Sequence, residues 1–246
     1  MNNSLPTVKG LIFDLDGTLL NSLGDLHAAC NYALGLHGLP ARSLEEVRPL
    51  VGEGVRRMLR QASKYAGSEN KEPNDADPAR AIDACSAEDE KKKLDLMVRQ
   101  MLDFYAANCC VKTVPYSGVQ AMLETLNAQG VPVAVLSNKM HDLTLSTVAH
   151  YLPQQAFAAI EGSREGGPLK PDPSTALAIA ELLGLAPSEM GFVGDTVTDM
   201  GTAVNSGMLP IGVTWGFRPA EELLASGAKV LLDKPEDLFF KIRFAV

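Results

Sequence analysis

Apolar positions recur along this chain in two rhythms. Val8 to Phe13 is a short apolar run closed by Asp14, Asp16 and Gly17. Such a run reads as a buried strand stopped by a glycine turn. From Ser22 to Leu39 the spacing becomes helical, with Leu23, Leu26, Ala29, Cys30, Ala33 and Leu34 in phase, and Pro40 ends it. Ser43 and Glu46 have the spacing of a capping box and predict a second helix start. Residues 49–54 interrupt it, and Val55 to Tyr65 resumes a helix carrying Arg56, Arg57 and Arg60. Gly67 to Pro78 is polar and reads as a loop or mobile insert. A long amphipathic helix follows from Ser86, with Leu94, Met97, Val98, Met101, Leu102 and Tyr105 on one face. Lys91, Lys92 and Lys93 then form its solvated side.

From Val111 the rhythm changes. Predicted strands at Val131–Leu136, Ala156–Ile160, Met190–Gly194, Leu209–Thr214 and Lys229–Leu232 alternate with predicted helices. The helices cover Val119–Gln129, Asp142–Tyr151, Ser174–Leu183, Asp199–Ser206, Ala220–Ala225 and Pro235–Phe240. These strands are apolar on both faces, the mark of a parallel sheet with helices on each side. The first strand has no neighbour close in sequence and is expected to join that sheet. The expected fold is therefore α/β, a doubly wound, Rossmann-like parallel sheet with an inserted all-helical cap. Residues 1–21 and 111–246 form the core and 22–110 the cap.

Composition narrows the class. Of 246 residues, 46% are hydrophobic and 21% charged, which is ordinary for a soluble globular protein. A net charge of −8 argues against a nucleic-acid or anionic-membrane surface. Met1 to Pro6 has neither the basic nor the apolar part of a signal peptide, and no apolar run reaches spanning length. Cys30, Cys85, Cys109 and Cys110 lack a Cys-x-x-Cys spacing, so reduced thiols and a cytoplasmic location are expected. The four histidines have no metal-site spacing and read as structural or surface residues.

The chemistry collects where such sheets place it, at the carboxyl ends of the strands. Asp14 and Asp16 end the first strand. Residues two apart on a strand share a face, but a bend at Gly17 would turn the side chain and carbonyl of Asp16 in different directions. Two carboxylates about 4 Å apart repel by roughly 1–4 kcal/mol, which a divalent cation, a shared proton or solvation relieves. Ser137 and Asn138 follow the second core strand, Lys170 precedes a helix, and Asp195 and Asp199 follow Gly194. Each alone also fits a turn, a helix start or a surface residue. Their joint occurrence in this order favours one site.

The motifs Asp14-x-Asp16-Gly17-Thr18, Ser137-Asn138, Lys170-Pro171-x-Pro173 and Gly194-Asp195-x-x-x-Asp199 resemble those of haloacid-dehalogenase-like hydrolases, and among these the phosphoglycolate phosphatases. Asn21-Ser22, Val51-Gly52-x-Gly54 and Val213 to Arg218 support the likeness. The resemblance implies phosphoryl transfer through an aspartyl-phosphate, with Asp14 as nucleophile and Asp16 as acid and base. It makes Thr18 the residue that orients Asp16. It gives Ser137, Asn138 and Lys170 to the phosphoryl oxygens. Magnesium (Mg2+) would be held by Asp14, the carbonyl of Asp16 and Asp195, with Asp199 orienting Lys170 or a metal-bound water. Arg56 or Arg57, beside the candidate loop Gly52-Glu53-Gly54, is a candidate for a substrate carboxylate. The expected partner is a small phosphomonoester, with 2-phosphoglycolate leading. The alternatives are a sugar-phosphate mutase, a phosphatase of another small metabolite, and a phosphate-binding module without turnover. The polar stretch near 67–85 and the segment Gly162 to Gly167 depart from the family pattern and bear on the substrate rather than the reaction.

Overall fold

A computed structural model of the chain describes residues 5–64 and 84–245. Tyr65, Cys85's side chain and the polar stretch 67–78 lie outside what it describes. The chain divides into two units, Met1–Leu23 with Lys112–Val246, and Gly24–Val111. The first is built on six parallel strands: β1 (Gly10–Phe13), β2 (Val133–Met140), β3 (Ala159–Ser163), β4 (Met190–Gly194), β5 (Leu209–Val213) and β6 (Val230–Leu232). Their spatial order is β3-β2-β1-β4-β5-β6. The order reverses beside β1, the place where open α/β sheets open a crevice for ligands.

Both faces of the sheet are covered, which is why its strands read as continuous apolar runs. Leu11 and Phe13 of β1 point to one face, with Val133, Val135, Val193 and Ile211. There they meet α5 (Val119–Ala128), α6 (His141–Tyr151) and α10 (Leu238–Lys241) through Leu123, Val148 and Leu238. Ile12, Ala134 and Phe192 point to the other face. They pack on α7 (Ser174–Leu182) and α8 (Val197–Ser206) through Ala176, Ile179 and Ala203. Burying each large side chain contributes about 1.5–3 kcal/mol, and Leu11, Ile12 and Phe13 are all wholly buried.

Several bounds differ from the periodicity. The first apolar run divides: Thr7–Val8 pairs in parallel with Arg243–Phe244, and β1 begins only at Gly10. β2 runs on through Ser137 and Asn138 to Met140, with a register shift against β3. β3 lies three residues later than its apolar content suggests. Leu20–Asn21 and Val114–Pro115, where the chain leaves and re-enters this unit, form an antiparallel pair.

The second unit is helical: α1 (Leu23–Leu36), α2 (Leu44–Val47), α3 (Val55–Lys64) and α4 (Ala84–Asn108). Ser43 and Glu46 do form the capping box. Tyr32 stacks on Phe104 with centroids 4.3 Å apart, and His37 Nε2 bonds Gln100 Oε1 at 2.8 Å, tying α1 to α4. Asn31 Nδ2 donates to the Arg42 carbonyl, which also lies 2.8 Å from His27 Nε2, so this histidine is structural. Among the described residues, no helix is long and apolar enough to cross a membrane.

Candidate active site

The ends of β1 and β4 lie side by side, and the Asp14 N–H donates to the Val193 carbonyl at 2.9 Å, extending their ladder by one bond. Asp14 is thereby fixed one residue beyond β1. The chain then turns tightly, with the Gly17 N–H on the Leu20 carbonyl at 2.8 Å. Gly17 has φ +95°, and a Cβ there would stand 2.3 Å from Asp195 Oδ2. Position 17 therefore requires glycine both for its backbone and for its neighbour.

Asp195 follows β4 and is fully buried. Its Oδ1 accepts from the Thr18 hydroxyl at 2.9 Å and its Oδ2 from the Phe217 N–H at 2.8 Å. Trp215 Nε1 donates to the Thr18 carbonyl at 3.0 Å, so the segment after β5 closes a ring of bonds around this carboxylate. Thr18 was expected on Asp16. It lies on Asp195 because the turn at Gly17 carries its hydroxyl across to the end of β4. Gly216 seals the arrangement, since a Cβ there would approach the Asp195 Cβ to 2.2 Å.

Asp199 sits in the first turn of α8, whose N-cap is Thr196. Its Oδ2 accepts from the Thr196 N–H at 2.9 Å and hydroxyl at 2.6 Å, leaving Oδ1 for Lys170 Nζ at 2.6 Å. The same ammonium donates to Asp14 Oδ1 at 2.5 Å and stands 5.6 Å above the Phe192 ring. Lys170 is held through its backbone: its N–H donates to Asn138 Oδ1 at 2.8 Å, and Asn138 Nδ2 donates to its carbonyl at 3.2 Å. The Asn138 amide, expected on a phosphoryl oxygen, is thus turned to the main chain of Lys170, because β2 continues through it. Ser137 Oγ accepts from the Lys139 N–H at 3.2 Å.

One site residue escapes a reading of the sequence. Lys139 Nζ donates to both carboxylate oxygens of Asp16, at 2.7 and 2.8 Å, with both side chains nearly buried. Its signal is a cation two positions after Ser137, on the same face of a strand that continues to Met140. Arg56 belongs to the helical unit, where it pairs with Asp95, and Arg57 pairs there with Glu53.

Four buried carboxylates, Asp14, Asp16, Asp195 and Asp199, face two buried ammonium groups, Lys139 and Lys170. Two negative charges remain if all are ionised. Burial, helped by the charges of Asp199 and Asp16, pushes Asp14 up to about 7 against the downward pull of Lys170. Burial, then the charges of Asp14 and Asp199, raise Asp195 well above the usual carboxylate range despite its two donors. Burial pulls Lys170 down, but Asp14 and Asp199 overcome it and hold the ammonium above its ordinary value. Asp14, Asp195 and Asp199 each offer an oxygen within 4.8 Å of the others. All-oxygen donors with this excess charge fit a hard divalent cation.

Comparisons with known proteins identify the family. A family model described as haloacid dehalogenase-like hydrolase matches residues 11–213. The chain is 30% identical over 234 residues to a phosphoglycolate phosphatase of Pectobacterium atrosepticum, covering 95% of this chain and 92% of that one. It is 29% identical over 232 residues to a phosphoglycolate phosphatase of Xanthomonas campestris, covering 94% and 95%. A crystal structure from Haemophilus somnus, described as a predicted phosphoglycolate phosphatase, superposes with a TM-score of 0.80 at 27% identity, covering 95% of this chain and 97% of that one. The chain belongs to the haloacid dehalogenase-like hydrolases, and within them it is phosphoglycolate phosphatase-like.

Proposed function

We propose that this enzyme is a Mg2+-dependent phosphatase that hydrolyses a small phosphomonoester, with 2-phosphoglycolate the leading substrate, through an aspartyl-phosphate on Asp14. The observation that carries the reading is Lys170 Nζ on Asp14 Oδ1 at the reversal of the strand order. A carboxylate at that place is a nucleophile whose charge is balanced at the point of attack. Asp14 attacks phosphorus, the bond from phosphorus to the leaving oxygen breaks, and Asp16 gives that oxygen a proton. Asp16 then takes a proton from water as the water attacks the aspartyl-phosphate, which frees inorganic phosphate and restores Asp14. Lys170 and Ser137 are the candidate partners of the phosphoryl oxygens, and Asn138 serves by fixing Lys170.

Asp14, Asp195 and the Asp16 carbonyl would hold Mg2+, with Asp199 steadying Lys170 beside them. When bound, the ion supplies positive charge that favours the ionised carboxylates and offsets charge on the phosphoryl group. The names of the relatives support 2-phosphoglycolate, and the assignment of 22–110 as a cap, with Arg56 among its substrate contacts, belongs to the same proposal. Rapid quenching during turnover tests it: mass spectrometry should find one added phosphoryl group on Asp14. An unmodified Asp14 during steady turnover contradicts the covalent route.

A further inference from the structure

The two buried lysines divide the site. Lys170 stands on Asp14, the side on which phosphorus is attacked. Lys139 stands on Asp16, the residue that meets the leaving oxygen in the reaction proposed above, on which this inference rests. An ammonium 2.7–2.8 Å from both oxygens of Asp16 therefore lies on the leaving-group side.

That contact is incomplete as a working arrangement. An acid must turn an oxygen toward the leaving atom, and here one ammonium engages both oxygens. The backbone of Lys139 is pinned: its N–H is on Ser137 Oγ, its carbonyl accepts from Thr144 Oγ1 at 3.2 Å, and Gly162 packs so tightly that a Cβ would come within 2.6 Å of that carbonyl. Only the side chain is left to adjust. A buried ammonium gives up a carboxylate readily only to another anion, because an unpaired buried charge is costly. The transferred phosphoryl group has Lys170, so the exchange partner falls to the alcohol that leaves.

We propose that Lys139 is a specificity-determining residue that binds an anionic substituent, a carboxylate, on the leaving alcohol, and that this exchange frees Asp16 for its proton transfer. The substrates selected are phosphate esters of small hydroxy acids. The α-carboxylate of a two-carbon hydroxy acid lies one carbon from the ester oxygen, within the reach of a group already bonded to Asp16.

The test compares 2-phosphoglycolate with ethyl phosphate, which has the same two-carbon length and no carboxylate. Each is hydrolysed by the native protein, Lys139→Met and Lys139→Arg. A second readout is inhibition of p-nitrophenyl phosphate turnover by 3-phosphonopropionate against propylphosphonate. Loss of a charged hydrogen bond predicts that Lys139→Met raises KM for 2-phosphoglycolate, relative to KM for ethyl phosphate, roughly tenfold to a hundredfold. It should also remove the advantage of the carboxylated inhibitor, and Lys139→Arg should restore much of both. Equal losses on both substrates, with inhibitor preference intact, overturn the inference and leave Lys139 a structural partner of Asp16. If Lys139→Met does not fold, Lys139→Gln takes its place: a ratio of the two KM values unchanged from the native protein overturns the inference. A native protein inactive on every ester overturns the phosphatase reading and this inference with it.

Discussion

Asp195 carries its role through what surrounds it. Four groups from two segments touch or crowd one carboxylate: Thr18, Gly17, Gly216 and Phe217. A methyl group at position 216 has no room, so Gly216→Ala should displace Asp195 and destabilise the fold by about 1–3 kcal/mol. Denaturant unfolding measures the loss, and a variant as stable and as active as the native protein contradicts the packing described. That Asp14 and Lys170 come together was legible from residue types and their order along the chain. The partners of Thr18 and Lys139 were not, because they depend on contacts 177 and 123 residues apart in sequence. A hydroxyl after Asp-x-Asp-Gly has several acids within reach, and only the turn decides which one it meets.

At the scale of elements, helix caps show which local devices serve the site. Thr196 caps α8 and also grips Asp199, whose other oxygen holds Lys170. Ser43 caps α2 in the helical unit with the same motif. Replacing either by alanine should cost about 1 kcal/mol, within a range of roughly 0.5–2. Only Thr196→Ala should also lower kcat, since it loosens Lys170; Ser43→Ala should leave turnover unchanged. Paired unfolding and rate measurements check this, and equal rates in both variants contradict the chain of contacts from α8 to Asp14. The long helices and the buried strands were legible because their periodicity is strong. The pair Thr7–Val8 with Arg243–Phe244 was not, being too short to carry a period. The end of β2 was misread because Ser137, Asn138 and Lys139 are polar, and a polar triplet reads as the close of a strand. Here the strand continues because those side chains are satisfied by one another and by the site.

At the scale of the whole molecule, the buried carboxylates predict a stability that depends on pH and, under the proposed function, on metal. Asp14 moves from an ordinary 3.8 to about 7 on folding, and Asp195 is raised as well. The folded protein thus binds more protons than the unfolded chain between about pH 4 and pH 7. The stability these groups contribute is full below the unfolded value and is lost as pH rises through the folded one. Metal-free protein should therefore lose thermal stability across that window. Mg2+ should restore it, with a larger rise in Tm at pH 8 than at pH 5. Thermal scans with and without EDTA check this, and a metal effect independent of pH contradicts the assignment of Asp14 and Asp195. The parallel sheet with helices on both faces was legible as an architecture, since alternating strands and helices leave few ways to arrange it, whereas the strand order and its reversal beside β1 came only with the structure. The central claim is that Asp14 is the nucleophile of a phosphatase. It is tested most directly by the initial rate of phosphate release from 2-phosphoglycolate with Mg2+, for the native protein beside Asp14→Asn. The account predicts rapid release by the native protein and none above background from the variant; equal release by both would contradict it.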